Sequence, residues 1–194
     1  MDPSDEELVR AFSEGDRPAF EELVRRHERR VYNLALRMLG REEDARDATQ
    51  DAFLSALRKV SSFRGDAAFT TWMHRVTVNA CYDMLRKRAR GPLLELDSEL
   101  PLPEPRAAAD PAEAAVAGVD VRRALVQVPE EFRAVLVLHD VQDMAYDDVA
   151  AVLGIPVGTV KSRLHRGRVM LARALGHGTA WEPAERPAPS EGQS

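Results

Sequence analysis

The chain has 194 residues, 44% of them hydrophobic, 30% charged and only 6% aromatic, with a formal net charge of −5. No apolar run approaches the roughly 18 residues of a membrane-spanning helix, and the single cysteine, Cys81, excludes both an intrachain disulfide and a cysteine-rich zinc site. The acidic, polar start has no signal-peptide pattern, so a cytoplasmic location without membrane insertion is expected.

A core of Leu, Val and Ala with few aromatics favours helices, and the expected fold class is all-α. Ser4 and Glu7 form a capping box for a first helix over 4–14, ended near Gly15. Asp16 and Pro18 start a second over 17–39, with Phe20, Leu23, Val24, Val31, Leu34, Ala35 and Met38 at helical spacing and Gly40 as its stop. A third, over 42–60, turns Ala45, Ala48, Ala52, Phe53, Ala56 and Leu57 inward. Asp44, Asp47, Gln50 and Asp51, at i, i+3, i+6 and i+7, share a polar face. A loop over 61–66 contains Gly65, which permits an unusual turn. A fourth helix, over 67–89, runs into the basic cluster Arg86, Lys87, Arg88 and Arg90.

Five prolines (Pro92, Pro101, Pro103, Pro105 and Pro111) then interrupt any helix, with Glu95, Asp97, Glu99, Glu104 and Asp110 between them. Such a stretch stays extended, and residues 91–111 are read as a flexible acidic linker. It separates an N-terminal domain over 1–90 from a second over 112–175, with helices at 112–127, 130–140, 145–152 and 157–175. The Gly-, Pro- and Ser-rich end, 176–194, is expected to be disordered.

The last two helices, joined through Gly154 and Pro156, follow the pattern of a helix-turn-helix, whose second helix lies in the DNA major groove. From Pro156 to Leu175 there are five basic residues and no acid. At about 100° per residue, Val160, Leu164, Gly167, Leu171 and Leu175 fall on one side. Lys161, Ser162, His165 and Arg166 are then the candidate base readers, and Thr159, Arg163 and Arg168 the candidate phosphate contacts. Residues 58–90 form a second basic segment, set apart from the first by an acidic stretch. Two separate contacts with nucleic acid are the expected meaning.

His27, His74, His139, His165 and His177 stand apart from one another, with no metal-ligand spacing, phosphate loop or nucleophile elbow. Neither an enzyme activity nor a metal or other cofactor is expected.

Taken together, the segments Pro129–Leu136, Tyr146–Ala150 and Gly158–Arg166 resemble the C-terminal domain of bacterial extracytoplasmic-function sigma factors. Asp44–Phe53 is similar to the helix by which that family grips core RNA polymerase, and Phe63–Met73 to the loop and helix start that read and open the −10 promoter element. The resemblance covers about residues 5–90 and 113–175. It implies a promoter-specific transcription initiation factor that binds promoter DNA and the polymerase β′ clamp and β flap, commonly under the control of an anti-sigma factor. By the same resemblance, Asp44, Asp47, Gln50, Asp51 and Phe53 meet the polymerase. Ser62, Phe63, Arg64, Gly65, Asp66, Trp72, Arg75, Asn79, Arg86, Lys87 and Arg88 handle the −10 element, and the helix-turn-helix reads −35. Trp72 suits a core position equally well, and the linker serves either as a spacer or as an acidic strand in the RNA path. One departure stands out: Ala145 occupies a position where relatives often place a capping Ser. The alternative reading is a helix-turn-helix regulator that is not a polymerase subunit, against which the Asp44–Phe53 block speaks.

Overall fold

A computed structural model describes residues 3–60, 63, 65, 68–90 and 121–176. The expected linker, the start of the helix that follows it, and the tail from 177 onward lie outside the described residues.

Every regular element among the described residues is helical. Helix α1, Asp5–Ser13, begins with the expected capping box: Ser4 Oγ accepts the Glu7 N–H at 3.2 Å and the Glu7 carboxylate accepts the Ser4 N–H at 2.7 Å. The Asp5 carboxylate then ties α1 to the next helix, meeting His27 Nε2 at 2.7 Å and Arg26 at 3.3 Å. Helix α2, Arg17–Leu39, has Pro18 in its first turn and stops at Gly40, whose φ of 79° is the left-handed conformation that glycine adopts without a Cβ clash. Helix α3 is Glu42–Lys59 and α4 is Phe69–Arg90, the latter starting two residues later than expected.

In the C-terminal half, α5 covers residues 121–127, followed by α6, Glu130–Leu136, α7, Tyr146–Leu153, and α8, Val157–Ala174. The expected α-helix over 130–140 is corrected after Leu136, where Val137–Val141 form a π-helical turn. There the Gln142 N–H reaches back five residues to Val137 O at 3.0 Å. The wider turn is held by its own side chains. His139 Nδ1 donates to Met144 O at 2.7 Å, and Asp140 takes both nitrogens of an Arg168 fork from α8.

Two apolar clusters hold the fold. One lies under α1, where Leu8, Leu23, Val31, Phe69 and Met73 pack together. The other joins the halves: Leu34, Met38, Ala45 and Cys81 share it with Leu125, Leu136, Leu138, Val149 and Val160. Each fully buried Leu there contributes roughly 1.5–3 kcal/mol. The two helical units are thus tied by more than a connecting segment, since α4 packs on α7 and α2 on the π-helical turn.

Candidate nucleic-acid interface

The turn between α7 and α8 is built by Gly154 at φ 65°, whose N–H donates to Ala150 O, and by Pro156 as the N-cap of α8. Ala145, the N-cap of α7, makes no side-chain cap bond; Asp147 and Asp148 in the first turn favour the helix dipole instead. Helix α8 buries Val160, Leu164 and Gly167, as its periodicity requires, while Leu171 and Leu175 are half-buried. At Gly167 the helices touch. A Cβ there would meet Leu136 Cγ at 3.1 Å and Phe132 O at 3.3 Å, so glycine allows α6 and α8 to cross closely.

Lys161, Ser162, His165 and Arg166 are all exposed. Lys161 Nζ lies 5.6 Å from the Tyr146 ring centroid, and that ring stacks on His139 at 4.6 Å. The stack steadies the start of the outer face. Ser162 Oγ donates to Thr159 O at 3.0 Å. Thr159 and Arg163 are half-buried on the flanks. Arg168 differs from the expectation of a phosphate contact. Its Nε and Nη2 donate to the Asp140 carboxylate at 3.0 and 2.5 Å, so it first orients α8 on the π-helical turn, and a phosphate would have to compete with that pair.

On α4, Arg75 and Asn79 are exposed one turn apart, and Lys87 is exposed near the end. Arg86 pairs with Asp83 at 2.6 Å within the helix, and Arg88 crosses to Asp44 on α3 at 2.8 Å. Trp72 is half-buried and packs against Phe63 and Phe69, with centroids 5.7 and 5.5 Å away. Those contacts fit the core reading of Trp72, and its partial exposure leaves the other one open. Gly65 has φ 76° and is exposed, the unusual turn the sequence predicts. Ser62, Arg64 and Asp66 lie outside the described residues.

The polar face of α3 is narrower than expected, because Asp44 is half-buried against Arg88 while Asp47, Gln50 and Asp51 stay exposed. Beside them the structure adds two residues that sequence reasoning missed: Leu54 and Leu57 are 45% and 42% exposed. With Phe20, Val24, Tyr32 and Phe53 they line an apolar groove of about 400 Å³ between α2 and α3. Leucines at i and i+3 beside an acidic stripe were the available signal; helical spacing alone had placed Leu57 inside.

Comparisons with known proteins agree with this arrangement. The family model for Sigma-70 region 2 matches residues 23–91, and that for Sigma-70 region 4 matches residues 119–171. A Mycobacterium tuberculosis protein, ECF RNA polymerase sigma factor SigM, is 45% identical over 174 residues, spanning 90% of this chain and 86% of the relative. Bacillus subtilis ECF RNA polymerase sigma factor SigW is 32% identical across 86% of this chain and 94% of its own. Among solved structures, CnrH in complex with the cytosolic domain of CnrY superposes with a TM-score of 0.66 at 26% identity, covering 90% of this chain and 98% of that one. The chain belongs to the family of extracytoplasmic-function RNA polymerase sigma factors, alternative sigma factors that direct transcription.

Proposed function

We propose that this chain binds core RNA polymerase and promoter DNA with separate surfaces, and carries no catalytic activity of its own. The −35 element is read by α8, through Lys161, Ser162, His165 and Arg166 on base edges and Thr159 and Arg163 on phosphates. The −10 element is handled by residues 61–66 and α4, with Arg75, Asn79 and Lys87 facing the strand. Asp47, Gln50 and Asp51 dock on the polymerase β′ clamp, and the apolar groove at Leu54 and Leu57 adds buried area at the same contact. Residues 1–90 and 112–175 are the two working domains, the stretch 91–111 their tether and 176–194 a tail outside both. An anti-sigma protein is the expected regulator, and the cytoplasm the expected compartment.

The observation that supports this reading best is the helix-turn-helix with four polar or basic side chains exposed on its outer face. Run-off transcription tests it, with purified core polymerase and a pool of promoter fragments. Transcripts that depend on the chain and select particular sequences are the expected result. DNA binding by the chain alone, with no initiation, would reassign it as a regulator that is not a polymerase subunit.

A further inference from the structure

The seam between the two helical units has a charged side chain at its centre. Arg133, on α6, is 6% exposed, and among the described residues its guanidinium donates only to backbone carbonyls. Val126 O accepts at 2.7 Å and Val128 O at 2.9 and 3.1 Å, both from the unit that carries Arg133. The remaining acceptor, Met38 O, belongs to the other unit, at the C-terminal end of α2. It is one of the carbonyls that a helix end leaves without an intrahelical donor. The cation therefore sits at the negative end of the α2 dipole. Burial lowers the Arg133 pKa, while Glu130 opposes that shift.

A second contact lies beside it. Gly40 closes α2 in the left-handed conformation, and a Cβ at that position would meet Val126 Cγ2 at 2.3 Å. Val126 is β-branched on a helix and has little rotamer freedom with which to yield. The absence of a side chain at position 40 is what lets the units close.

We propose that Arg133 and the Gly40–Val126 contact form a latch that holds the C-terminal unit on the end of α2. The latch controls the separation of the two DNA-reading units and not access to either one. Lys161, Ser162, His165 and Arg166 are exposed with the latch closed, so closure leaves the outer face of α8 free. What closure does fix is position: Thr70, Thr71 and His74 of α4 face Gln142, Ala145 and Asp148 across a single cleft of about 590 Å³. While the units share a core, they present one fixed distance to a duplex. The purpose of the latch rests on the promoter reading above; its existence does not.

The test uses the full chain without polymerase. Spin labels at Glu21→Cys and Arg173→Cys, both exposed positions on opposite units, are placed in a Cys81→Ala background, and their separation is measured by pulsed electron resonance. The parent should give one narrow distance. Arg133→Leu and Gly40→Ala should each raise the open-to-closed ratio roughly tenfold or more, with helical circular dichroism unchanged. Adding Val126→Ala to Gly40→Ala should restore the narrow distance, because the new Cβ then faces the residue-126 Cβ at 3.5 Å. The left-handed strain at position 40 is common to both variants, so only the collision distinguishes them. A broad, long distance in the parent would overturn the latch, and so would a closed distance in Gly40→Ala or a failure of Val126→Ala to restore it. If Arg133→Leu loses helicity, the Gly40 and Val126 variants decide alone. Affinity for a short random-sequence duplex should be equal in latched and unlatched chains; a rise on unlatching would show that closure blocks access.

Discussion

His74 makes an acid-sensitivity prediction that can be worked through. Its ring is 4% exposed on α4, and neither nitrogen has a hydrogen-bond partner among the described residues. Burial, then the charges of Arg30 and His27, lower its pKa from 6.5 to about 4. From the other side of the cleft, Asp143 and Asp148 face the same space. A base whose folded pKa is depressed contributes nothing adverse above its unfolded pKa, and stability falls as pH drops from 6.5 toward 4. At pH 5 the unfolded imidazole is mostly protonated while the folded one is neutral, which costs about 2 kcal/mol relative to pH 7. His74→Leu, close in volume, removes that dependence. It also ends the burial of unmatched polar atoms, adding about 1–3 kcal/mol of stability at pH 7. Urea denaturation of parent and variant at both pH values measures the two effects. The stability gap should widen by about 2 kcal/mol on going to pH 5, whereas an equal gap at both would show that His74 does not stay neutral in the fold.

Two further outcomes concern the interfaces. Arg166→Ala should weaken binding to the selected −35 sequence by about 1–3 kcal/mol if the side chain pairs with a guanine, read by fluorescence anisotropy; a uniform loss on every sequence would make it a phosphate contact. Asp47→Arg with Asp51→Arg, and separately Leu54→Glu with Leu57→Glu, should abolish co-purification with core polymerase while leaving the thermal midpoint within a few degrees, because all four side chains are exposed. Undiminished co-purification of either pair would remove that surface from the proposed contact.

Much of the helix pattern was legible because caps and periodicity are local. Ser4 with Glu7, Gly40, and the Val160–Leu164–Gly167 stripe each announce themselves within a few residues. What periodicity cannot say is which surface a buried stripe meets. Arg133 reads in sequence as one more polar residue on a helix, yet it lies under the other unit with Met38, 95 positions away, as an acceptor. Leu57 falls on the apolar side by spacing, but no element among the described residues covers it. Arg168 looks available for phosphate until Asp140, 28 residues earlier, is seen to hold it. That Lys161, Ser162, His165 and Arg166 point outward was legible for the opposite reason: an outward face needs no partner within the chain to identify it.

The π-helical turn at Val137–Val141 amounts to one residue more than an α-helix would use to cover the same rise. Deleting one residue there would regularise the helix while rotating everything beyond it by about 100°. Asp140 would swing away from Arg168, and His139 from the Tyr146 ring. Local regularity and global alignment therefore oppose each other at this position. Such a deletion would leave a more ideal helix and α8 pointing in a different direction, so the surplus residue acts as an angular spacer written into the length of the chain.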